Sequence, residues 1–157
     1  MEFLVSLNLS IIFSILFFAS NKKLNHLEHA FLWLIVIFIF TSITSSIVDN
    51  VKIWTLSEET KHHGTFKVIQ LFGVPLIMMY FLNQLLFIKD WKKRITKFFG
   101  FIFILLFYEW TWVQAKIIEH TNWHFGFSFL LWAFLLLLIL LLLHLFKRTL
   151  RKEGVST

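Results

Sequence analysis

The chain has 157 residues, of which 58% are hydrophobic and 15% are charged, and its formal net charge is +6. The apolar residues fall in long blocks, which excludes a soluble domain and makes lipid the expected solvent. The sequence contains no cysteine, which excludes disulfides, thiolate metal sites and cysteine nucleophiles. The positive charge fits basic flanks on anionic lipid, and no basic run interleaved with aromatic residues indicates nucleic-acid binding.

Five apolar blocks are separable, each about 17 to 21 residues long, which is the length that a helix needs to cross about 30 Å of hydrocarbon. The first block has no Lys or Arg before it and a poor cleavage site after it, so we interpret it as a retained helix rather than a signal peptide. The predicted fold is an all-α polytopic membrane protein, a single domain formed by a bundle of five transmembrane helices. The predicted spans are residues 3–19, 30–48, 68–88, 98–118 and 127–146.

The loops between these spans differ in their content of Lys and Arg. Eleven lie in the first loop, the third loop and the C-terminal tail, and four lie on the other side. The positive-inside rule therefore predicts an external N-terminus and a cytoplasmic C-terminus. Four tryptophans near predicted span ends are expected to be interfacial anchors, namely Trp54, Trp91, Trp112 and Trp123.

The longest predicted loop, residues 49–67, carries a capping-box pattern that begins at Thr55 and ends at Glu58. This pattern predicts a short interfacial helix within residues 56–63. Gly64 follows directly and is expected to end that helix.

Glu109 lies inside the fourth predicted span. A charged side chain at the bilayer centre costs at least about 2.5–3.5 kcal/mol, so such residues usually face a protein interior or a water-filled cavity. Burial disfavours the ionised form, which predicts a neutral Glu109. At 1.5 Å per residue, several polar residues and one proline of other spans share its depth, namely Asn8, Thr41, Ser42, Thr44, Ser45 and Pro75.

This polar layer admits two interpretations. Pro75 should free the Leu71 carbonyl and kink the third span, so Glu109 could donate to that carbonyl or to a Ser/Thr hydroxyl while it accepts from Asn8. The result would be an intramembrane polar site for a proton, ion or ligand. Alternatively, the small hydroxyl residues and Glu109 are packing elements between helices, which is the favoured interpretation.

The predicted outer loops contain a second group of candidates, in which His and Glu residues recur four positions apart. Imidazole and carboxylate together are zinc-type ligands, although the spacing matches no specific metal motif. Loop residues in contact with solvent are therefore the favoured interpretation. The weak metal candidates are His62, His63, His120, His124, Glu58 and Glu119, and no cofactor is predicted.

Four short stretches carry a family resemblance: VDNVK at 48–52, the segment from Lys67 to Pro75, YEW at 108–110 and HTNW at 120–123. They resemble a group of uncharacterised small, roughly five-span membrane proteins of spore-forming Firmicutes. The resemblance implies a multi-pass protein of a bacterial plasma membrane or spore membrane, and it assigns no activity.

We therefore expect a small integral membrane protein with a non-enzymatic accessory, assembly or structural role, in contact with lipid and with a membrane protein partner or further copies of itself. One alternative is a proton- or cation-linked transporter or channel component that uses Glu109. A second alternative is a membrane-embedded metal-dependent enzyme that uses the outer His and Glu residues.

Overall fold

A computed structural model of the chain describes residues 2–20, 23–57, 60–121 and 123–153. Four of its helical segments are long and apolar enough to cross a membrane, which makes this a multi-pass helical protein as predicted; the helix at Asn8–Ala19 is apolar but shorter. In chain order the elements are α1 (Glu2–Ala19), α2 (His26–Ser45), a π-helical turn (Ser46–Val51), β1 (Trp54–Leu56), α3 (Thr60–Val68), a second π-helical turn (Ile69–Gly73), α4 (Val74–Leu86), α5 (Trp91–Gln114), β2 (Ile118–His120) and α6 (Phe125–Lys152).

Side-chain caps set where α2 and α5 begin. The Asn25 side chain accepts from the backbone N–H of Glu28, and the Glu28 carboxylate accepts in return from the Asn25 N–H, so α2 starts at a complete capping box. Asp90 accepts from the backbone N–H of Lys92 at the start of α5. That cap begins α5 at Trp91, whereas the predicted span began at residue 98.

The helix that contains Pro75 is interrupted as its sequence predicts. Proline has no N–H and its ring collides with the carbonyl four residues earlier. The helix widens into the π turn Ile69–Gly73 directly before this proline, and the N–H of Val74 bonds to the carbonyl of Ile69 five residues earlier. The hydrogen-bond ladder therefore shifts register by one residue, which is the arrangement of a π-bulge.

A two-stranded antiparallel sheet joins two connections that are far apart in sequence. In its register Trp54 faces His120 and Leu56 faces Ile118. Beyond the strands, the N–H of Thr121 donates to the Ile53 carbonyl at 2.8 Å. The connection between α2 and α3 is thereby fixed to the connection between α5 and α6 at one end of the bundle.

Three sequence predictions about these connections are corrected. Leu56 belongs to a strand, because β2 pairs with it, so the helix predicted within residues 56–63 begins only at Thr60. Gly64 does not end a helix, since α3 continues through it to Val68. The fourth predicted span ran to Ile118, but α5 ends at Gln114 and the chain turns at Lys116, whose φ is 51°.

Two of the predicted interfacial tryptophans are core residues. Trp54 and Trp112 are both fully buried, whereas Trp91 is 69% exposed. Trp112 packs edge-on against Trp132 of α6, with ring centroids 6.2 Å apart. The core beneath the sheet is consequently aromatic, and Glu109 lies within it.

Candidate functional site

Glu109 lies on α5, five residues before its last residue Gln114, which is about 7–8 Å at 1.5 Å per residue. Its side chain is 0% exposed. The residue therefore lies beneath the β-sheet and closer to the end of its helix than the predicted span 98–118 implied, because α5 begins and ends earlier.

Both carboxylate oxygens of Glu109 accept hydrogen bonds from α6. The Ser128 hydroxyl donates to Oε1 at 2.5 Å, and the Trp132 indole N–H donates to Oε2 at 2.7 Å. The Trp123 indole in turn donates to the Ser128 hydroxyl at 2.6 Å. Burial of a carboxylate is costly unless such donors satisfy it. These three hydrogen bonds join the side chains into one connected network.

His120 on β2 is the ionisable neighbour of Glu109. Its Nε2 lies 3.2 Å from Glu109 Oε1, and its side chain is 12% exposed. Nε2 makes no hydrogen bond that meets the geometric criteria. The two side chains are therefore in close contact without a directed hydrogen bond.

Aromatic rings hold the His120 imidazole in place. Trp54, its cross-strand neighbour on β1, stacks on it with centroids 5.7 Å apart and planes 20° from parallel. The Trp123 ring lies 6.4 Å from the imidazole on another side. The antiparallel register places Trp54 opposite His120, so the sheet itself positions the imidazole over Glu109.

The structure does not assemble the predicted polar layer around Glu109. Asn8 and Ser42 are exposed, and Pro75 is buried in α4. Glu109 accepts at both oxygens from α6, whereas the site interpretation had it donate to the Leu71 carbonyl or to a Ser/Thr hydroxyl and accept from Asn8. The carboxylate faces α6 and β2, whereas Asn8 and Ser42 lie on the exposed sides of their helices.

The hydroxyl residues of α2 have other partners. Gln70 donates from its side-chain amide to Thr44 Oγ1 at 2.5 Å, which joins α2 to the π turn before Pro75. The Ser46 hydroxyl donates to the Ser42 carbonyl of its own helix. Thr41 and Ser45 are half-buried on the same helix. These contacts fit the packing interpretation of the α2 hydroxyls, with Thr44 as the residue that reaches another element.

A second interhelical hydrogen bond lies between α1 and α5. The hydroxyls of Ser10 and Tyr108 are 2.7 Å apart. Gly73, in the π turn, lies so close to both that an added Cβ would collide with the Tyr108 hydroxyl. Three elements are thus in close contact at one point.

The predicted metal candidates do not form a ligand set. His62 bonds to Ser57 through Nδ1 at 2.7 Å, and His63, His124 and Glu119 are exposed. His120 faces Glu109 instead of the other histidines. Glu58 lies outside the described residues, and within the described ranges no three His, Asp or Glu residues gather as metal ligands.

The opposite end of the bundle contains a second buried acid, Glu28, which is 1% exposed. Its Oε1 lies 3.3 Å from the Lys147 ammonium of α6, while Oε2 completes the α2 cap. Lys23 also lies here, with its ammonium donating to the Leu86 carbonyl at 2.9 Å. Glu109 and Glu28 therefore fasten α6 to the bundle near both of its ends.

Sequence reasoning missed Ser128 and Trp132, which lie near the start of the last predicted span. Their i, i+4 spacing at the start of that span was the available signal, since residues so spaced share one helix face.

The fold and these contacts define a helical multi-pass membrane protein with a buried Glu–Ser–Trp–His network. Comparison with protein-family models, with curated proteins and with solved structures found no match.

Proposed function

We propose that this chain is a non-enzymatic accessory, assembly or structural subunit of a bacterial plasma or spore membrane. In this proposal it has five spans, with the N-terminus outside and the C-terminus in the cytoplasm. The observation that carries the proposal is the complete enclosure of Glu109, whose two carboxylate oxygens are both occupied by donors of its own chain. In this proposal the Glu109 carboxylate stabilises the packing of the helices and does not bind a ligand.

The other polar contacts between helices support the same function. The Gln70–Thr44 and Ser10–Tyr108 pairs each join two elements of the chain. Outward-facing side chains of the spans are large and apolar, among them Leu34, Phe38 and Phe103, each more than 60% exposed. These faces suit lipid and a membrane protein partner or a second copy, because five short helices enclose little interior of their own.

Charge placement supports the proposed orientation. Lys23, Lys97 and Lys147 make contacts at the end of the bundle where the first and third connections lie. The sheet lies at the other end. Basic residues favour the cytoplasmic side, so the sheet would face the exterior.

Cysteine labelling tests this orientation directly, because the chain has no native cysteine. Thr55→Cys, on the exposed edge of β1, should react with an impermeant maleimide in intact cells. Lys93→Cys, which is exposed at the start of α5, should react only after the cells are permeabilised. The reverse labelling pattern would refute the orientation.

The alternative function is a proton- or cation-linked transporter or channel component. One observation favours it: the imidazole of His120, whose side chain is 12% exposed, lies 3.2 Å from the enclosed carboxylate of Glu109 and so connects that carboxylate to the surface.

Glu109→Gln separates the two functions, with Glu119→Gln as the matched control on an exposed residue of β2. The assembly proposal expects that Glu109→Gln lowers stability and reduces the partner or homo-oligomer recovered from native membrane, whereas Glu119→Gln changes neither. Reconstituted liposomes should show no proton or cation flux with either variant or with the wild type. A wild-type flux that Glu109→Gln abolishes without unfolding would refute the assembly proposal and support transport.

A further inference from the structure

A groove of about 290 Å³ lies on the bundle surface where α4, α5 and α6 meet. Aromatic and aliphatic side chains line it, including Phe98 and Phe99 of α5 and Leu137 and Leu140 of α6. Among the described residues that line the groove, Arg94 is the one that carries a charge. The groove thus combines an apolar body with one cation.

Arg94 lies in the first turn of α5, so the cation is near one end of the bundle. Lys92 and Lys93 are exposed in the same turn. None of the described residues forms an ion pair with the Arg94 guanidinium. The positive end of the helix dipole adds to the local potential, and the region around Arg94 therefore attracts anions.

We propose that this groove binds an anionic glycerophospholipid, with its phosphate on Arg94 and part of one acyl chain along Phe98, Phe99, Leu137 and Leu140. The planar guanidinium matches a phosphate with two parallel hydrogen bonds, and basic pockets between transmembrane helices are known sites for anionic head groups.

The apolar residues identify the occupant as a membrane lipid. Phe99 and Leu137 are 45% and 57% exposed on helices that are apolar enough to span a bilayer, so hydrocarbon is the medium they meet. A volume of about 290 Å³ is at the lower end of the range for ligand pockets, which suits a segment of one chain. The proposal is independent of Glu109, which lies at the other end of α5.

The test uses the full chain in bilayers that contain both phosphatidylglycerol and phosphatidylcholine with identical acyl chains. Native mass spectrometry then measures which lipid stays bound when the chain is released. The wild type should retain phosphatidylglycerol preferentially. Arg94→Gln should lower the ratio of retained phosphatidylglycerol to phosphatidylcholine about five-fold, which is the effect of one basic residue near a lipid surface. Arg148→Gln removes the same charge from an exposed position near the end of α6 and should keep most of the preference.

Leu137→Trp supplies an independent readout, because it fills the groove and leaves Arg94 unchanged. It should reduce the retained phosphatidylglycerol although the charge is intact, and circular dichroism would verify that helix content is preserved in every variant. An equal loss in Arg94→Gln and Arg148→Gln would overturn the proposal in favour of diffuse attraction to the basic end. Retention unaffected by Leu137→Trp, or displacement of the lipid by inorganic phosphate, would overturn it as well.

Discussion

The hydrogen bond between the Trp132 indole and the Glu109 carboxylate is the contact whose energy is most open to direct measurement. Its donor and acceptor are 2.7 Å apart and both residues are fully buried. Trp132→Phe removes the N–H while it keeps an aromatic ring, and Glu109→Gln replaces the carboxyl group by an amide of the same shape. A double-mutant cycle over these two changes isolates their coupling.

Two estimates bound the expected value. Hydrogen bonds to charged groups contribute about 1.5–3 kcal/mol in proteins, whereas interhelical hydrogen bonds inside membranes average about 0.6 kcal/mol and reach about 1.7 kcal/mol. The Glu109 contact is short and fully buried, and it lies close to the end of the helix. We therefore expect a coupling of about 1–2 kcal/mol, near the top of the membrane range.

The assay is equilibrium unfolding in a mild detergent. Circular dichroism is the probe, because Trp132 is a fluorophore and its replacement would change a fluorescence signal by itself. Each single variant should be destabilised, and the double variant should be destabilised by less than their sum. A coupling below about 0.5 kcal/mol, the error within which independent sites are additive, would refute the account of Glu109 as a fastening. Glu119→Gln, on the exposed face of β2, should change stability by less than about 0.5 kcal/mol.

Two further predictions concern other contacts. Lys147→Ala leaves the buried Glu28 carboxylate without its cation at 3.3 Å. We expect the free energy of unfolding to fall by about 1–3 kcal/mol, which is below the full value for a buried pair because Lys147 is partly exposed. Unfolding in detergent measures this loss, and an unchanged midpoint would contradict it. Gly73→Ala brings a methyl group against the Tyr108 hydroxyl and should cost about 1–3 kcal/mol by overpacking. The matched control Gly64→Ala meets open space in α3 and should be neutral or slightly stabilising, so equal effects of the two changes would refute the close contact at Gly73.

The sequence identified Glu109 but not its neighbours. A single carboxylate in an apolar run is visible without any structure, because its cost in lipid demands partners. Its actual partners lie 11 to 23 residues away along the chain, on β2 and α6. Counting residues from predicted span ends compares depths, but it does not tell which side of α5 carries the carboxylate or which element packs there.

His120 shows why the metal candidates failed as a group. In the sequence it is one of several histidines in predicted outer loops, and spacing alone places it with His124. In the structure the pairing of β1 with β2 removes it from that group and stacks it on Trp54. Strand pairing between connections about 60 residues apart has no local signal in a sequence of this kind.

The sequence by itself determined that this is a helical, multi-pass membrane protein with one acid inside a span, because hydrocarbon requires long apolar helices and makes a lone carboxylate conspicuous. Its Pro75 also determined that one helix would be irregular, since a missing N–H acts locally. Tertiary structure alone decided that Glu109 joins α5, α6 and the sheet. Those contacts depend on where α5 begins and ends and on how two distant connections pair, and both are set by packing across the whole bundle.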